Sequence, residues 1–301
     1  MKLKIVILII SVVICISTVS VFIFLQGRGP KGPRAIIVDN LALDRTSLSG
    51  DNITFVRETR EILGDIGVEV DYVGANNVTL EVYRNLVQYN LVILRVHSGV
   101  LKEDDKKVVC FFTSEELSGQ SYNKYREWFN ERYLANATLE VDGSKSFIGL
   151  KPDFIHKCLN GEFHNSIIIA MGCNSSINDS MAKAFIDKKA RVYIGWNYDV
   201  TVDYTDSETL KLLRRFFEEN KKVGEAIRGL RDLKTGATLK YYPNDDETAN
   251  LRPLTLISQL LEKKSSFIPD IANIILFKAL LANLLTLNES NLSYRRLFRK
   301  F

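Results

Sequence analysis

Two short apolar runs of the sequence each lead into a side chain that can take part in acyl transfer. The run at 91–96 is followed by His97, and the run at 167–171 is followed by Gly172 and Cys173. Runs rich in β-branched residues are typical of buried parallel strands, and ligands bind beyond the carboxyl ends of such strands. We therefore expect an imidazole and a thiol at one edge of a sheet. This pair predicts a cysteine nucleophile with histidine as its proton acceptor and donor.

The residues beside the pair fit the same reaction. The backbone N–H of Cys173 and one from Ser98 or Gly99 are expected to bind the oxyanion of a tetrahedral intermediate. Gly172 lets the chain turn sharply before the nucleophile. Taken singly, Cys173 as a small core residue and His97 as a hydrogen-bonded strand terminus are ordinary structural alternatives. Their matching positions at two strand ends favour a catalytic dyad.

The order strand-His-Ser-Gly followed by strand-Gly-Cys resembles the caspase-like cysteine peptidases, the group that includes caspases, metacaspases, clostripain and gingipains. The resemblance covers about residues 34–240. Many members place glycine directly after the histidine, whereas Ser98 precedes Gly99 here, and this leaves open which N–H serves the oxyanion on that side. The resemblance implies a three-layer α/β fold with a mostly parallel sheet and helices on both faces. It also implies endopeptidase activity by way of a thioester acyl-enzyme.

In this group the segment after the strand that follows the nucleophile lines the substrate cleft. The resemblance therefore implies that Trp196 packs on substrate, and that Asp199 or Asp203 pairs with a lysine or arginine before the scissile bond. Met171 stands where metacaspase-like members carry an acidic residue for a basic substrate side chain, so that device is absent. The structural alternative is that Trp196 belongs to the core and that the two aspartates cap loops.

The pattern of elements predicts how the two residues reach one edge. A strand at 35–39, helical spacing over 55–67, a strand at 68–73, a helix at 80–88 and a strand at 91–96 give a β-α-β-α-β order. This order favours right-handed crossovers and a mostly parallel sheet of about six strands. The other predicted elements are strands at 108–113, 167–171 and 190–195, a hairpin within 137–150, and helices at 121–134, from 151, and at 179–188, 207–220 and 223–233.

The two ends of the chain predict attachment to a membrane. Residues 5–25 are 21 uncharged residues, the length that spans a bilayer. No small-residue cleavage site follows, which favours a retained signal anchor over a cleaved signal. A tail at 1–4 and a Gly- and Pro-containing linker at 26–33 flank the anchor, and the catalytic domain is expected at 34–240. A helical extension at 241–301 carries polar residues that argue against a second span, and it is a candidate surface for homo-oligomers.

Glycosylation sequons indicate on which side of the membrane the globular part lies. Asn-x-Ser/Thr acceptors are used only on exported surfaces, so their abundance favours an extracytoplasmic domain on a single-pass membrane protein. The sequons are at Asn52, Asn77, Asn136, Asn174, Asn178, Asn288 and Asn291.

Bulk composition limits the classes of binding partner that are expected. The net charge is +4, with 46% hydrophobic and 25% charged residues, which is ordinary for a globular chain and gives no basic stripe for nucleic acid. No phosphate-binding glycine loop and no Cys/His ligand cluster occurs in the sequence, so no cofactor and no metal are expected. The expected partners are a protein or peptide substrate and the membrane. Cys110 and Cys158 either form a disulfide or are two buried thiols.

A competing interpretation gives the chain the same fold but no peptidase activity. In it the chain is a non-catalytic caspase-like interaction or sensor module anchored to the membrane, with the C-terminal helices as its binding surface. An acyl transferase is also compatible with the same dyad, because an amine instead of water can resolve an acyl-enzyme.

Overall fold

The structure, a computed structural model, describes residues 32–41, 51–138 and 145–259. Pro33–Ser258 forms one compact unit. The tail, the anchor expected at 5–25 and nearly all of the linker lie outside the described residues, as does the extension from residue 260 onward. Within the described ranges, no helix is both long enough and apolar enough to cross a membrane.

Strands and helices alternate along the chain. Among the described residues the strands are β1 (Arg34–Asp39), β2 (Glu69–Gly74), β3 (Leu91–Arg95), β4 (Ser98–Glu103), β5 (Lys106–Glu116), β6 (Leu134–Thr138), β7 (Ser146–Leu150), β8 (Ile167–Ala170), β9 (Val192–Trp196) and β10 (Leu239–Tyr242). The helices of the same ranges are α1 (Asp51–Gly64), α2 (Leu80–Arg84), α3 (Gly119–Lys124), α4 (Arg126–Asn130), α5 (Pro152–Cys158), α6 (Ser180–Asp187), α7 (Val202–Phe217), α8 (Val223–Ala226) and α9 (Asp246–Ala249), with a further helical stretch at 253–259.

Six of these strands form a mostly parallel sheet in the order β10-β9-β8-β3-β1-β2, in which β10 runs antiparallel to β9. Alternate residues of each strand face different cores. Ile36 and Val38 pack with residues of α2, α5 and α6, whereas Ala35 and Ile37 pack with residues of α1 and α7. The predicted α/β class, with a mostly parallel sheet and helices, is confirmed, and the arrangement is compatible with three layers.

A second, antiparallel sheet in the order β4-β5-β7-β6 begins directly after His97. The sequence predicts the extended segment at 108–113 and the hairpin within 137–150, but not a strand that starts at Ser98. The β4–β5 hairpin turns at Asp104 and Asp105, whose φ angles are 46° and 62°. Aspartate tolerates the left-handed region better than most residues, and two-residue hairpins of one common type need it at both positions.

Several predicted helices differ in extent from the observed ones. The single helix expected at 121–134 is instead α3 and α4, which are followed by Arg132 with a φ of 58° and by the start of β6. The helix expected at 223–233 is only α8, and the chain then turns through Gly229 with a φ of 77°. In contrast, α7 begins earlier than expected, with Asp203 in its first turn, where a negative charge favours a helix amino terminus.

The compact unit continues past residue 240. Tyr241 and Tyr242 belong to β10, and Ile257 is buried in the core. The N–H of Val223 donates to the carbonyl of Leu251 at 2.9 Å. The first part of the predicted extension therefore packs with the sheet domain.

Candidate functional site

His97 lies two residues beyond the end of β3 and is held through its backbone. Its N–H donates to the side-chain oxygen of Asn40 at 2.8 Å, and the amide of Asn40 donates to the carbonyl of Phe112 at 2.7 Å. The N–H of Phe112 in turn donates to the carbonyl of His97 at 3.0 Å. The buried side chain of Asn40 therefore links His97 to Phe112 of β5 by a hydrogen bond to each. This fixes the point at which the half-buried imidazole leaves the sheet, with its ring centre 6.2 Å from that of Phe112.

Cys173 leaves the sheet at the same edge as His97 because β8 is paired with β3 in parallel. The hydroxyl of Ser98, the residue after His97, donates to the carbonyl of Cys173. Gly172 packs so closely on the side chain of Ser98 and on the carbonyl of Val96 that a β-carbon would collide with both. Both neighbours of His97 in the chain thus contact Gly172 or Cys173. These contacts place the two predicted residues at the same carboxyl edge of the sheet.

The Cys173 thiol is bonded to the loop after β9. It donates to the carbonyl of Val200 at 3.4 Å and accepts from the N–H of Val200 at 3.5 Å. Burial raises the pKa of this half-buried thiol above its ordinary value, the bond from Val200 opposes the shift, and the charges of Asp199 and Asp232 add to it. The resting thiol is therefore protonated at neutral pH and needs a base before it can act as a nucleophile.

The segment after Cys173 is hydrogen-bonded to the end of β9. Asn174 has a φ of 56°, a conformation that asparagine adopts more readily than most residues. Its N–H donates to the carbonyl of Tyr198 at 3.0 Å, and its side-chain amide donates to Asp199. The hydroxyl of Ser175 accepts the N–H of Trp196 at 2.9 Å. Helix α6 begins only after this run of turns, so it does not directly follow Cys173.

The three residues expected to bind substrate lie in different surroundings. Trp196 is 0% exposed, and its indole N–H donates to the hydroxyl of Thr205 at 2.9 Å, which in turn donates to the carbonyl of Met171 at 2.9 Å. This position corresponds to the alternative in which Trp196 belongs to the core. Asp199 and Asp203 are both exposed, and Asp199 accepts a hydrogen bond from the side chain of Asn174, the residue after Cys173.

A buried ionic cluster lies directly beneath the site. Arg95, the last residue of β3, is 1% exposed and binds both oxygens of Asp206 at 2.8 and 2.9 Å, and Asp39 at 2.8 Å. Burial opposes the charge of Arg95, but its bonds to the two carboxylates outweigh this and raise its pKa. Burial raises the pKa of Asp206 although Arg95 opposes the shift. The cluster joins the ends of β1 and β3 to α7, next to Asn40 and to the residue before His97.

Sequence reasoning missed Asn40, Arg95 and Asp206 as parts of the site. Asn40 comes directly after the first strand, so the same rule that brought His97 and Cys173 to one edge could have placed it there. Arg95 is the charged residue within an otherwise apolar run, which is a signal for a buried ion pair. No local pattern identifies Asp206 as its partner.

The other two cysteines of the described chain are free thiols. Burial raises the pKa of Cys110 to about 12 and that of Cys158 to about 11. These positions correspond to the alternative of two buried thiols rather than a disulfide. Among the described residues, no group of three or more His, Cys, Asp or Glu side chains is arranged to hold a metal ion.

Comparison of the sequence with models of protein families gives no match, and no curated protein matches it significantly. The interpretation of the site is therefore based on its geometry.

Proposed function

We propose that the protein is a membrane-anchored cysteine endopeptidase of caspase-like fold, in which Cys173 is the nucleophile and His97 the general base and acid. The observation that supports this most directly is the contact of Ser98 and Val96, the two neighbours of His97, with the Gly172–Cys173 segment. Two residue types that together perform acyl transfer thus follow adjacent strands at the edge where α/β sheets bind ligands.

The neutral thiol fits a mechanism in which proton transfer accompanies attack. His97 accepts the proton of Cys173 while the sulfur bonds to the substrate carbonyl carbon, and the carbonyl oxygen takes the displaced electron pair. Collapse of this intermediate breaks the C–N bond, and the imidazolium gives its proton to the leaving amine. Water, deprotonated by His97, then attacks the thioester and releases the acid and the thiol.

The oxyanion of this intermediate is best served by the N–H groups of Ser98 and Cys173. The N–H of Phe112 bonds to the carbonyl of His97, and pairs of residues alternate between bonded and non-bonded along an antiparallel ladder. Gly99, opposite Cys110, therefore belongs to a bonded pair, whereas Ser98 belongs to a non-bonded one whose N–H points away from β5. We assign Ser98 and not Gly99 to the oxyanion for this reason.

The proposed substrate preference is based on two exposed carboxylates in the chain after β9. Asp199 contacts the segment after Cys173, and Asp203 lies in the first turn of α7, so both are proposed to favour a lysine or arginine before the scissile bond. Trp196 is not included, since it is fully buried. Equal cleavage of matched substrates with arginine, lysine, aspartate or alanine at that position would remove this assignment.

The proposed location is outside the cell, with residues 5–25 as the anchor. Among the sequons of the described chain, Asn77 and Asn136 are exposed, as glycan acceptors must be. The amides of Asn174 and Asn178 are instead bonded to Asp199 and to the carbonyl of Lys107. Glycosidase-sensitive mass at Asn77 or Asn136, in full chain made by a secretory host, tests this placement.

A second candidate function is the non-catalytic module. One observation favours it: the Cys173 sulfur is already bonded to both peptide groups of Val200, and burial together with two carboxylates raises its pKa. A thiol in such surroundings is less reactive than an unhindered one at neutral pH.

Cleavage of a peptide library by the detergent-solubilised full chain separates the two functions. Mass spectrometry identifies cut bonds, and the same assay is run on Cys173→Ala and His97→Ala. We expect cleavage by the wild type and none above background by either variant. Cleavage that persists in both variants, or that is absent from all three proteins, contradicts the peptidase proposal.

A further inference from the structure

A buried carboxylate anchors the loop that touches the Cys173 thiol. Asp232 is 0% exposed, and both of its oxygens are used. Oδ2 accepts the N–H of Thr201 at 2.8 Å and the hydroxyl of Thr201 at 3.1 Å. Oδ1 accepts the N–H groups of Lys234 and Thr235, at 2.7 and 3.3 Å. One side chain therefore joins its own loop to the loop after β9.

The residue that Asp232 holds is next to the one that binds the thiol. Thr201 follows Val200, whose N–H and carbonyl lie 3.5 and 3.4 Å from the sulfur of Cys173. We propose that Asp232 is a positioning residue for Cys173: by fixing Thr201, it presents the peptide groups of Val200 to the sulfur and holds the thiol in one orientation. Asp232 does not itself touch the sulfur in this arrangement.

Electrostatics give the same residue a second effect. Burial by itself raises the pKa of Asp232, but the donors from Thr201, Lys234 and Thr235 outweigh it and lower that pKa, so the side chain is an anion at neutral pH. Its charge and that of Asp199 both raise the pKa of the Cys173 thiol, in addition to burial. His97 lies just beyond the neighbouring strand β3, at the same edge of the sheet. These two carboxylates thus favour the protonated sulfur, whereas the N–H of Val200 favours the thiolate, and the catalytic meaning of this balance rests on the proposed function.

The pH dependence of thiol alkylation tests the positioning role without any substrate. Asparagine at 232 has one acceptor oxygen in place of two, so one of the two loops loses its acceptor. The matched control is Asp245→Asn, which removes a carboxylate that caps α9 by accepting the N–H of Thr248 at 2.7 Å. Iodoacetamide labelling of the full chain, followed at Cys173 by mass spectrometry, gives a rate at each pH.

We expect Asp232→Asn to change the Cys173 profile and to raise the labelling rate near pH 7.5 by about threefold or more, because the thiol is released from the peptide groups of Val200 and a negative charge near it is removed. Asp245→Asn should reproduce the wild-type profile. An Asp232→Asn profile that superimposes on the wild type, or an equal shift in the control, overturns the proposal.

A milder variant keeps the test decisive if Asp232→Asn does not fold. Thr201→Val removes only the hydroxyl donor to Oδ2 and is expected to raise the alkylation rate by a smaller factor. An unchanged rate in Thr201→Val overturns the proposal in that case. If Asp232→Asn shifts the profile but the wild type cleaves no peptide, the positioning role stands and the peptidase proposal fails.

Discussion

Two thiols of this chain occupy opposite kinds of site. Cys110, within β5, is 1% exposed, and its sulfur lies against Gly149 with no room for another atom. Cys173, beyond the end of β8, is half-buried and bonded to both peptide groups of Val200. Burial raises the pKa of both, so the shift alone does not distinguish them. Solvent access and polar partners distinguish them. A cysteine inside a strand packs in the core, whereas one beyond a strand end is accessible for reaction.

The two thiols also differ in the residues that surround them. The neighbours of Cys110 along β5, Val109 and Phe111, are apolar and buried, although the charges of Lys151 and Glu103 also act on its thiol. The edge that carries Cys173 is supported by buried charge, since Arg95 binds Asp39 and Asp206 beneath it. Such clusters are costly to desolvate and contribute little net stability, but removing one member is strongly destabilising. The buried charges at the Cys173 edge therefore fix the positions of side chains, whereas the apolar residues of β5 contribute packing.

The largest difference is expected in activity. Cys173→Ala should lower peptide cleavage by a factor on the order of 10⁴ or more, because the nucleophile is lost. Cys110→Ala should leave cleavage per folded molecule unchanged and cost about 1 kcal/mol of unfolding free energy through the small cavity it creates. Cleavage kinetics and urea unfolding measure both. Loss of cleavage in Cys110→Ala but not in Cys173→Ala would contradict these assignments.

Removing the buried cation should cause the largest loss of stability. Arg95→Met leaves Asp39 and Asp206 buried without their partner and should cost about 3–5 kcal/mol of unfolding free energy. The control is Arg57→Met, in which an exposed arginine loses a 3.9 Å contact with Glu61, a pair worth about 0–1 kcal/mol. Urea unfolding of both variants checks this. Equal costs would mean that the Cys173 edge does not depend on buried charge.

Two glycine substitutions separate packing from function. A β-carbon at Gly172 collides with Ser98 and Val96, and one at Gly149 collides with the sulfur of Cys110. Each alanine variant should cost about 1–3 kcal/mol through overpacking. Only Gly172→Ala should also reduce cleavage, because it separates Ser98 from Cys173. Thermal unfolding with cleavage rates measured well below the midpoint tests this, and an equal loss of cleavage in Gly149→Ala would contradict it.

The smallest expected effect is on stability in acid. The pKa of Asp232 is lowered, so its folded form holds the proton less tightly than the unfolded chain, whose aspartates titrate near 3.8. Its contribution to stability is present above that value and is lost as the pH falls through the lower folded pKa. Asp232→Asn should therefore flatten the fall in unfolding free energy below about pH 4. An unchanged slope in urea unfolding across this range would contradict the sign.

The sequence predicts those parts of the fold that depend on continuous apolar runs. β3 and β8 are buried on both faces, so their residues are apolar apart from Arg95, and the ends of the two strands place His97 and Cys173 at one edge. β4 was missed because its residues are only partly buried and show no clear alternation. The bond between Arg95 and Asp206 spans 111 positions, and no periodicity carries a contact over that distance.

The remaining parts of the site depend on single hydrogen bonds between distant loops. Asn40 is identified only by its bonds to His97 and Phe112, and Asp232 only by its bonds to Thr201. Asparagine and aspartate are common in any loop, so their type says little about their partners. Trp196 illustrates a different difficulty. A tryptophan near a predicted cleft is equally suited to bind substrate or to belong to the core, and its residue type does not decide between them.

The most direct test of the central claim is labelling of the full chain with peptidyl acyloxymethyl ketones, mapped by mass spectrometry to individual cysteines. These reagents alkylate a thiol only after they bind as substrates. We predict selective labelling of Cys173, its loss in His97→Ala, and no labelling of Cys110 or Cys158. Labelling of Cys173 no faster than of the other two thiols, with no effect of His97→Ala, would contradict the dyad.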